Sequence, residues 1–220
     1  MHGLKRLMAG GLLVAMALLN GPPAVGESPA GTHAVVITPV FAQLVMFSLP
    51  PEFKSQKPTY ENNSGSFYIR EQVPDGETPR KWSRMITLTG TRGLATNPNA
   101  TPQAMLARMS ADFQRNCPDT FSSAAPGPQQ VDGYDAYEVI ASCGRVQSDR
   151  EAYSESAIIL TVKGSNDYYT LQWTERGRDS VRALPIDTAY WTKQLGRLNP
   201  IRLCPIVPGE SAPYPSCARR

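Results

Sequence analysis

Four cysteines are the side chains of this sequence best equipped for covalent chemistry: Cys117, Cys143, Cys204 and Cys217. An even number of cysteines is typical of a disulfide framework outside the reducing cytosol. Three pairings are possible. Pairing Cys117 with Cys143 and Cys204 with Cys217 is favoured because each bond then closes a short loop, a constraint worth roughly 3 to 3.5 kcal/mol. The sequence has no Cys-x-x-Cys spacing, so a zinc site is not expected.

Acidic residues could also do chemistry, because a glycoside hydrolase needs only two carboxylates on either side of a cleft. Two groups are close enough in the sequence to consider: Asp132, Asp135 and Glu138, and Asp149, Glu151 and Glu155. Each group lies in or beside a predicted turn, where solvated acids are common. Both groups are therefore interpreted as surface acids. The first also lacks the run of oxygen ligands that a calcium loop requires.

Nucleophilic catalysis has little support in the sequence. There is no Gly-x-Ser-x-Gly elbow and no Ser-x-x-Lys motif. His33 is the only histidine after residue 2, and it precedes the first predicted strand, so a Ser-His-Asp triad is not expected. With the cysteines assigned to disulfides, we predict no catalytic residue and no cofactor.

The first 26 residues have the order of a cleavable secretory signal. Lys5 and Arg6 precede an uninterrupted apolar run at 7–19, and residues 24–26 (Ala-Val-Gly) are small enough for a signal peptidase. The run is shorter than the roughly 20 apolar residues that cross a bilayer, so a retained membrane anchor is the less favoured alternative. We predict cleavage after Gly26, or alternatively after Ala30, and a periplasmic or secreted location.

The charge of the chain points to no electrostatic partner. The formal net charge of +3 falls to about +1 when the basic signal is removed. The basic residues between Arg176 and Arg202 are interrupted by acids, which indicates a solvated, salt-bridged surface rather than an anion site. Neither nucleic acid nor anionic lipid is therefore predicted as a partner.

The apolar periodicity predicts six strands, at 43–49, 66–71, 82–89, 134–142, 156–163 and 168–175. In the third strand, Trp82, Arg84, Ile86 and Leu88 are expected on one face, which indicates mixed burial. Residues 164–167 (Gly-Ser-Asn-Asp) predict a hairpin turn between the last two strands. The segment 122–130 is rich in Ala, Pro and Gly and is interpreted as a surface loop.

Two helices are predicted, one starting at Thr101-Pro102 and one capped by Asp187. Thr and Asp can cap free backbone amides, and Pro is tolerated at the first helical position. The first helix carries an apolar stripe of Met105, Met109 and Phe113, which we expect to form core against the sheet.

The second helix carries Trp191, Leu195 and Leu198. The hairpin residues Leu160, Leu171 and Trp173 are expected to pack under Met109 and Phe113 of the first helix, because an isolated hairpin needs its apolar face covered.

Three segments resemble the Mog1/PsbP-like fold, as found in exported bacterial proteins of the DcrB type. They are FSLPPEF at 47–53, GYDAYE at 133–138 and NDYYTLQW at 166–173. The resemblance spans residues 43 to about 198 and implies an antiparallel sheet with helices on its faces. It also implies a protein without catalytic residues that acts in binding or as an accessory, although a fold does not by itself fix a function.

Together these patterns predict a bacterial α+β protein with an antiparallel β-sheet, two main α-helices packed on it and a disulfide-bearing C-terminal tail. The predicted parts are a signal peptide at 1–26, a flexible lead at 27–34, one domain at 35–203 and an irregular Cys- and Pro-containing tail at 204–220. The predicted function is non-enzymatic binding of a protein or cell-envelope partner, without a metal. The alternative is a hydrolase of envelope glycans that uses the loop carboxylates.

Overall fold

The computed structural model describes residues 34–146 and 151–219. In chain order the elements are β1 (Ala34–Val40), β2 (Gln43–Leu49), β3 (Tyr60–Asn63), β4 (Phe67–Gln72), β5 (Arg84–Thr91), α1 (Pro102–Asn116), β6 (Phe121–Val131), β7 (Tyr134–Val146), β8 (Tyr153–Lys163), β9 (Tyr168–Arg178), α2 (Thr188–Gly196), β10 (Arg202–Pro205) and α3 (Pro215–Ala218). The predicted signal peptide and its cleavage site lie outside the described residues and stay predictions.

The strands form two antiparallel sheets, and the predicted α+β class is confirmed. Seven strands pair in the order β3-β4-β5-β9-β8-β7-β6, and three pair in the order β1-β2-β10. The predicted strand at 43–49 is β2, but it belongs to the three-stranded sheet and not to the main one. Every residue of β2 is buried, as expected for a central strand covered on both faces.

One face of the seven-stranded sheet, here called the closed face, is covered by the three-stranded sheet and α2. Its apolar core contains Ile86, Leu160 and Trp173, packed against Phe47 of β2 and Leu195 of α2, among other buried side chains. Trp173 is fully buried. This core supplies most of the apolar burial that stabilises the fold.

The opposite face, here called the open face, is covered only in part. α1 lies across β6, β7 and β8, where Leu106 packs on Val139, Ala157 and Ile159. The open face of β4, β5 and β9 extends beyond α1. Within the described residues, the sheet is thus covered on both sides along one half only.

The expectation that Leu160, Leu171 and Trp173 pack under Met109 and Phe113 is wrong. The hairpin of β8 and β9 forms as predicted, but successive residues of a strand point to opposite faces. The three hairpin residues belong to the closed face, whereas Met109 and Phe113 pack on the open face. The sequence identified the apolar sets correctly and matched them to the wrong helix.

Two other local predictions are corrected by the structure. The segment 122–130 is part of β6, an edge strand with a register shift between Ala124 and Gly127. An edge strand tolerates the two prolines of this segment because one row of its N–H groups faces no partner. Trp82 lies before β5 and packs with Val73 and Met85, not with Ile86.

The C-terminal tail is held by secondary structure as well as by its disulfide. β10 pairs with β2, and Cys204 of β10 bonds to Cys217 of α3. Both sulfurs are buried against Leu44 and Met46, on the side of the three-stranded sheet that faces away from the main core. The tail therefore covers a sheet face that would otherwise be exposed.

Three turns meet at one buried carboxylate, which fixes the two sheets to each other. Asp167, in the turn between β8 and β9, accepts hydrogen bonds from the backbone N–H of Ala42 (3.1 Å) and of Gly93 (2.7 Å). Gly90 allows the close approach, because a Cβ atom there would lie 2.5 Å from Cγ1 of Val40. The hydrogen bond from Gly93 to Asp167 also fixes the end of β5 from which the chain continues to α1.

Candidate binding groove

A groove of about 540 Å³ runs along the open face between α1 and strands β4, β5 and β9. This volume lies within the range of about 300 to 1,000 Å³ that is usual for small-molecule sites. Its apolar residues are Met105, Met109 and Phe113 of α1, which form one wall, and Phe67, Ile69 and Met85 of β4 and β5. Its polar floor consists of Thr87, Thr89, Thr91, Gln172 and Thr174. The groove thus has an apolar helical wall and a floor that combines threonine hydroxyls with apolar side chains.

The floor follows from the two-residue period of the strands. In β5, Ile86 and Leu88 point into the closed-face core, so Thr87 and Thr89 must point into the groove. Threonine suits this place because it favours strands while offering a hydroxyl that can donate or accept. The hydroxyls of Thr89 and Thr170 lie 2.5 Å apart and hydrogen-bond across β5 and β9.

The wall follows from the helical stripe that the sequence predicted as core. Thr101 caps α1 by accepting a hydrogen bond from the N–H of Ala104 (3.1 Å). Leu106 alone is buried on this helix, whereas Met105, Met109 and Phe113 are half-buried and line the groove. Methionine is flexible and polarizable, which lets such a wall adapt to differently shaped ligands.

The Cys117–Cys143 disulfide fixes this wall to the sheet. Cys117 ends α1 and Cys143 lies in β7, with an S–S distance of 2.01 Å. Together with Cys204–Cys217 this is the pairing that the loop lengths favour. The bond holds the end of α1 that lies next to Phe113.

Arg176 lies at one end of the groove and stacks on two aromatic rings. Its guanidinium carbon lies 3.8 Å from the ring centre of Trp82 and 4.1 Å from that of Tyr153. Its Nε donates to a carboxylate oxygen of Glu155 (2.9 Å), and Nη2 donates to the hydroxyl of Tyr153 (3.1 Å). Cation–π stacking and a charge-assisted bond together hold this side chain in place.

The sequence predicts that Arg176 lies on a solvated, salt-bridged basic surface. The side chain is salt-bridged, as expected, but it is stacked on aromatic rings and only partly exposed. Trp82, Tyr153 and Arg176 lie in separate parts of the chain, and no local sequence motif indicates that they are in contact. Only the pairing of β8 with β9, and of β9 with β5, brings them together.

Glu71 adds a second carboxylate near Arg176. Burial raises the pKa of Glu71, the nearby Arg176 guanidinium lowers it by a smaller amount, and the Glu155 carboxylate raises it again. The net shift is upward. Glu71, Glu155 and Arg176 therefore form a cluster with one more carboxylate than cation at this end of the groove.

Beyond Arg176 the groove opens into a wider recess of about 860 Å³. Among its lining residues, Glu77 accepts hydrogen bonds from the backbone N–H and the hydroxyl of Ser83, at 2.7 and 2.6 Å. Asp179 pairs with Arg145 at 3.5 Å. Three exposed cations also line the recess and form no ion pair within the described part of the chain: Arg80, Lys81 and Arg178.

The first predicted group of acids is not brought together. Asp132 lies in the turn between β6 and β7, where its carboxylate accepts a hydrogen bond from the N–H of Leu203 (3.0 Å). Asp135 is exposed, and Glu138 is buried within β7. The interpretation of Glu138 as a surface acid is wrong. Burial raises its pKa, and one of its carboxylate oxygens has no hydrogen-bond partner in the described residues.

The second predicted group is divided between the groove and the recess. Asp149 lies outside the described residues, Glu151 lines the recess and Glu155 lines the groove. Within the described ranges, no three His, Cys, Asp or Glu side chains are arranged to hold a metal ion. Glu71, which sequence reasoning missed, is the carboxylate that shares the groove with Glu155.

No protein-family model and no curated protein matches the sequence. Among solved structures, the fold is similar to that of LpqN, a protein involved in cell envelope biogenesis of Mycobacterium tuberculosis. The TM-score is 0.41 at 12% sequence identity, over 78% of this chain and 92% of LpqN. No helix in the described ranges is long and apolar enough to span a membrane.

Proposed function

We propose that this chain is an exported, non-enzymatic binding protein that holds an elongated amphiphilic ligand in the groove beside α1. One observation carries the proposal: the groove pairs an apolar wall with a floor of threonine hydroxyls, on the half of the sheet that α1 leaves uncovered. A ligand with an apolar chain and polar groups matches both sides.

The energetics of the lining support a binding role. Removing apolar surface from water contributes roughly 25 cal/mol per Å², so a chain laid against Met105, Met109 and Phe113 gains affinity along its length. Hydroxyls such as Thr87 can meet polar groups of a ligand as donors or as acceptors. A few oriented polar groups in a mainly apolar concavity are the usual composition of a ligand site.

The compartment supports the same proposal. The predicted signal at 1–26 leads to export, and two disulfides are stable in an oxidising environment. Amphiphilic components of the cell envelope are then ligands present in the same compartment. The proposed ligand is thus a more specific form of the cell-envelope partner that the sequence predicts.

Binding of the neutral fluorescent probe N-phenyl-1-naphthylamine tests the proposal. We expect saturable binding that weakens at least about tenfold in Met109→Glu, because an unpaired charge in an apolar site is costly to desolvate. Ala107→Glu places the same charge on an exposed position of α1 and should bind as the parent does. Thermal melts identify any variant that fails to fold. The proposal fails if the parent shows no saturable binding or if both folded variants bind equally.

Hydrolysis of an envelope glycan is a second candidate, and one observation favours it. Glu71 and Glu155 line the same groove, and burial raises the pKa of Glu71, as a general acid requires. An enzyme would release reducing ends from peptidoglycan, and Glu71→Gln or Glu155→Gln would abolish this release while Glu77→Gln would not. No release by the parent protein removes this candidate.

A further inference from the structure

The recess at the end of the groove has an uneven distribution of free charge. Of its acids, Asp179 is paired with Arg145, Glu77 accepts hydrogen bonds from the neutral Ser83 and keeps its charge, and Glu151 also lines the recess. Within the described ranges, three cations of the recess form no ion pair, and the charges of Glu77 and Glu151 do not offset all three.

Arg176 is not one of those free cations. Its guanidinium lies over the rings of Trp82 and Tyr153, and its donors are directed to Glu155 and Tyr153. Glu71 adds a further nearby carboxylate. An anion at Arg176 would have to displace Glu155, so this arginine serves as the boundary between groove and recess and not as an anion receptor.

The unpaired cations lie on the far side of that boundary. Arg80, Lys81 and Arg178 line the recess, are exposed and form no ion pair within the described ranges. Two of the three are arginines, whose planar fork of donors matches the oxygens of carboxylate and phosphate.

Building on the function proposed above, we propose that the ligand is a single-chain amphiphile with an anionic head group. The head group lies in the recess against Arg80, Lys81 and Arg178, and the apolar chain runs past Arg176 along Met85 and the wall of α1. The complementarity has two parts, a recess whose lining carries one more cation than acid and an apolar groove, and they adjoin at Trp82 and Arg176, which line both.

Titration calorimetry with three probes of equal chain length tests the head-group preference. The probes are dodecanoate, dodecanol and dodecyltrimethylammonium, each below its micellar or solubility limit. We expect dodecanoate to bind at least about tenfold more tightly than the other two, a preference that shrinks at 1 M salt, where the Debye length is about 3 Å. Inorganic phosphate alone should not bind measurably, because it lacks the chain.

Two triple variants with the same change in net charge sharpen the test. Arg80→Gln/Lys81→Gln/Arg178→Gln should lose the preference for dodecanoate and bind dodecanol as the parent does. Lys54→Gln/Lys57→Gln/Lys193→Gln changes exposed lysines elsewhere and should keep the preference.

The outcomes separate this inference from the proposed function. If no dodecyl probe binds, the proposed function fails and the inference fails with it. If all three probes bind equally, the groove binds ligand but the inference on the head group is overturned. Equal loss of preference in both triple variants, or tight binding of phosphate alone, would overturn it as well.

Discussion

The same strands build both faces of the seven-stranded sheet, yet the two faces have different coverings and different side chains. On the closed face, Ile86 and Trp173 lie under a second sheet and α2, and the packing is continuous. On the open face, Thr87 and Gln172 from the same two strands line a groove that α1 leaves uncovered. Alternation along a strand lets one segment contribute to a core and to a binding surface at once.

The extent of the covering elements decides this difference. The three-stranded sheet and α2 together cover the closed face, whereas α1 is a single helix that lies across β6, β7 and β8. One helix is about 10 Å wide and cannot cover seven strands spaced about 4.8 Å apart. The threonines of β5 lie on the part of the open face that α1 does not cover.

The largest expected effect separates a closed-face residue from a recess residue. Trp173→Ala should lower the free energy of unfolding by about 3 to 5 kcal/mol, because it empties a fully buried aromatic site beside Phe53. Arg178→Ala should change it by less than about 0.5 kcal/mol, since this side chain is exposed. Urea denaturation measures both, and equal losses would contradict the assignment of the two faces.

The two disulfides should affect the two regions differently. Replacing either pair by alanine should cost roughly 3 to 3.5 kcal/mol, given loops of 26 and 13 residues. Only the Cys117/Cys143 replacement loosens the groove wall, so it should also weaken probe binding. The Cys204/Cys217 replacement should leave probe binding unchanged. Denaturation and probe titration of both double variants check this, and equal weakening of binding would show that the wall does not depend on its own disulfide.

Two adjacent residues of β5 give a closely matched comparison. Ile86→Thr places a hydroxyl in the closed-face core and should cost about 1 to 3 kcal/mol in the free energy of unfolding. Thr87→Val keeps the branched shape at a buried position of the groove floor and should cost at most the roughly 0.5 to 1.5 kcal/mol of one hydrogen bond. Thermal and urea melts decide the matter. A larger cost at Thr87 would mean that the floor is structural core.

The smallest expected effect concerns Glu138. Burial raises its pKa in the folded protein, whereas the unfolded chain has the ordinary value of about 4.3. As the pH rises from about 4.3 through the raised folded pKa, the unfolded state loses its proton first, so the folded state loses stability.

Glu138→Gln removes this loss, so the variant should gain more stability relative to the parent at pH 7 than at pH 4. Asp135→Asn, at an exposed position of the same strand, is the control and should show no such gain. Urea melts at the two pH values give the comparison. The same stability difference at both would rule out a buried ionisation at Glu138.

The sequence predicts the local parts of this structure well. Thr101 and Asp187 cap their helices as predicted, and β8 and β9 form the predicted hairpin. These features depend on residues close together in the chain, so their hydrogen bonds and their alternation can be predicted from the local sequence. The disulfide pairing was favoured for the same reason, because short loops cost the least to close.

The groove could not be predicted because it depends on long-range placement. The alternation of residues along a strand separates the two faces of the sheet but does not show which helix covers which face. For this reason the expectation that Trp173 packs under α1 is wrong. β6 was missed because its prolines argue against a strand, and only its edge position makes them acceptable. The stack of Arg176 on Trp82 requires three strands in register, which no local pattern encodes.

Methyl NMR of methionine-labelled protein tests most directly whether the open face is the ligand site. After the predicted cleavage site the chain contains Met46, Met85, Met105 and Met109. The last three line the groove, and Met46 is buried with Cys204 on the far side of the three-stranded sheet. Titration with dodecanoate should shift the three groove methyls progressively and leave Met46 unchanged. Shifts at Met46 alone, or equal shifts at all four, would contradict the account.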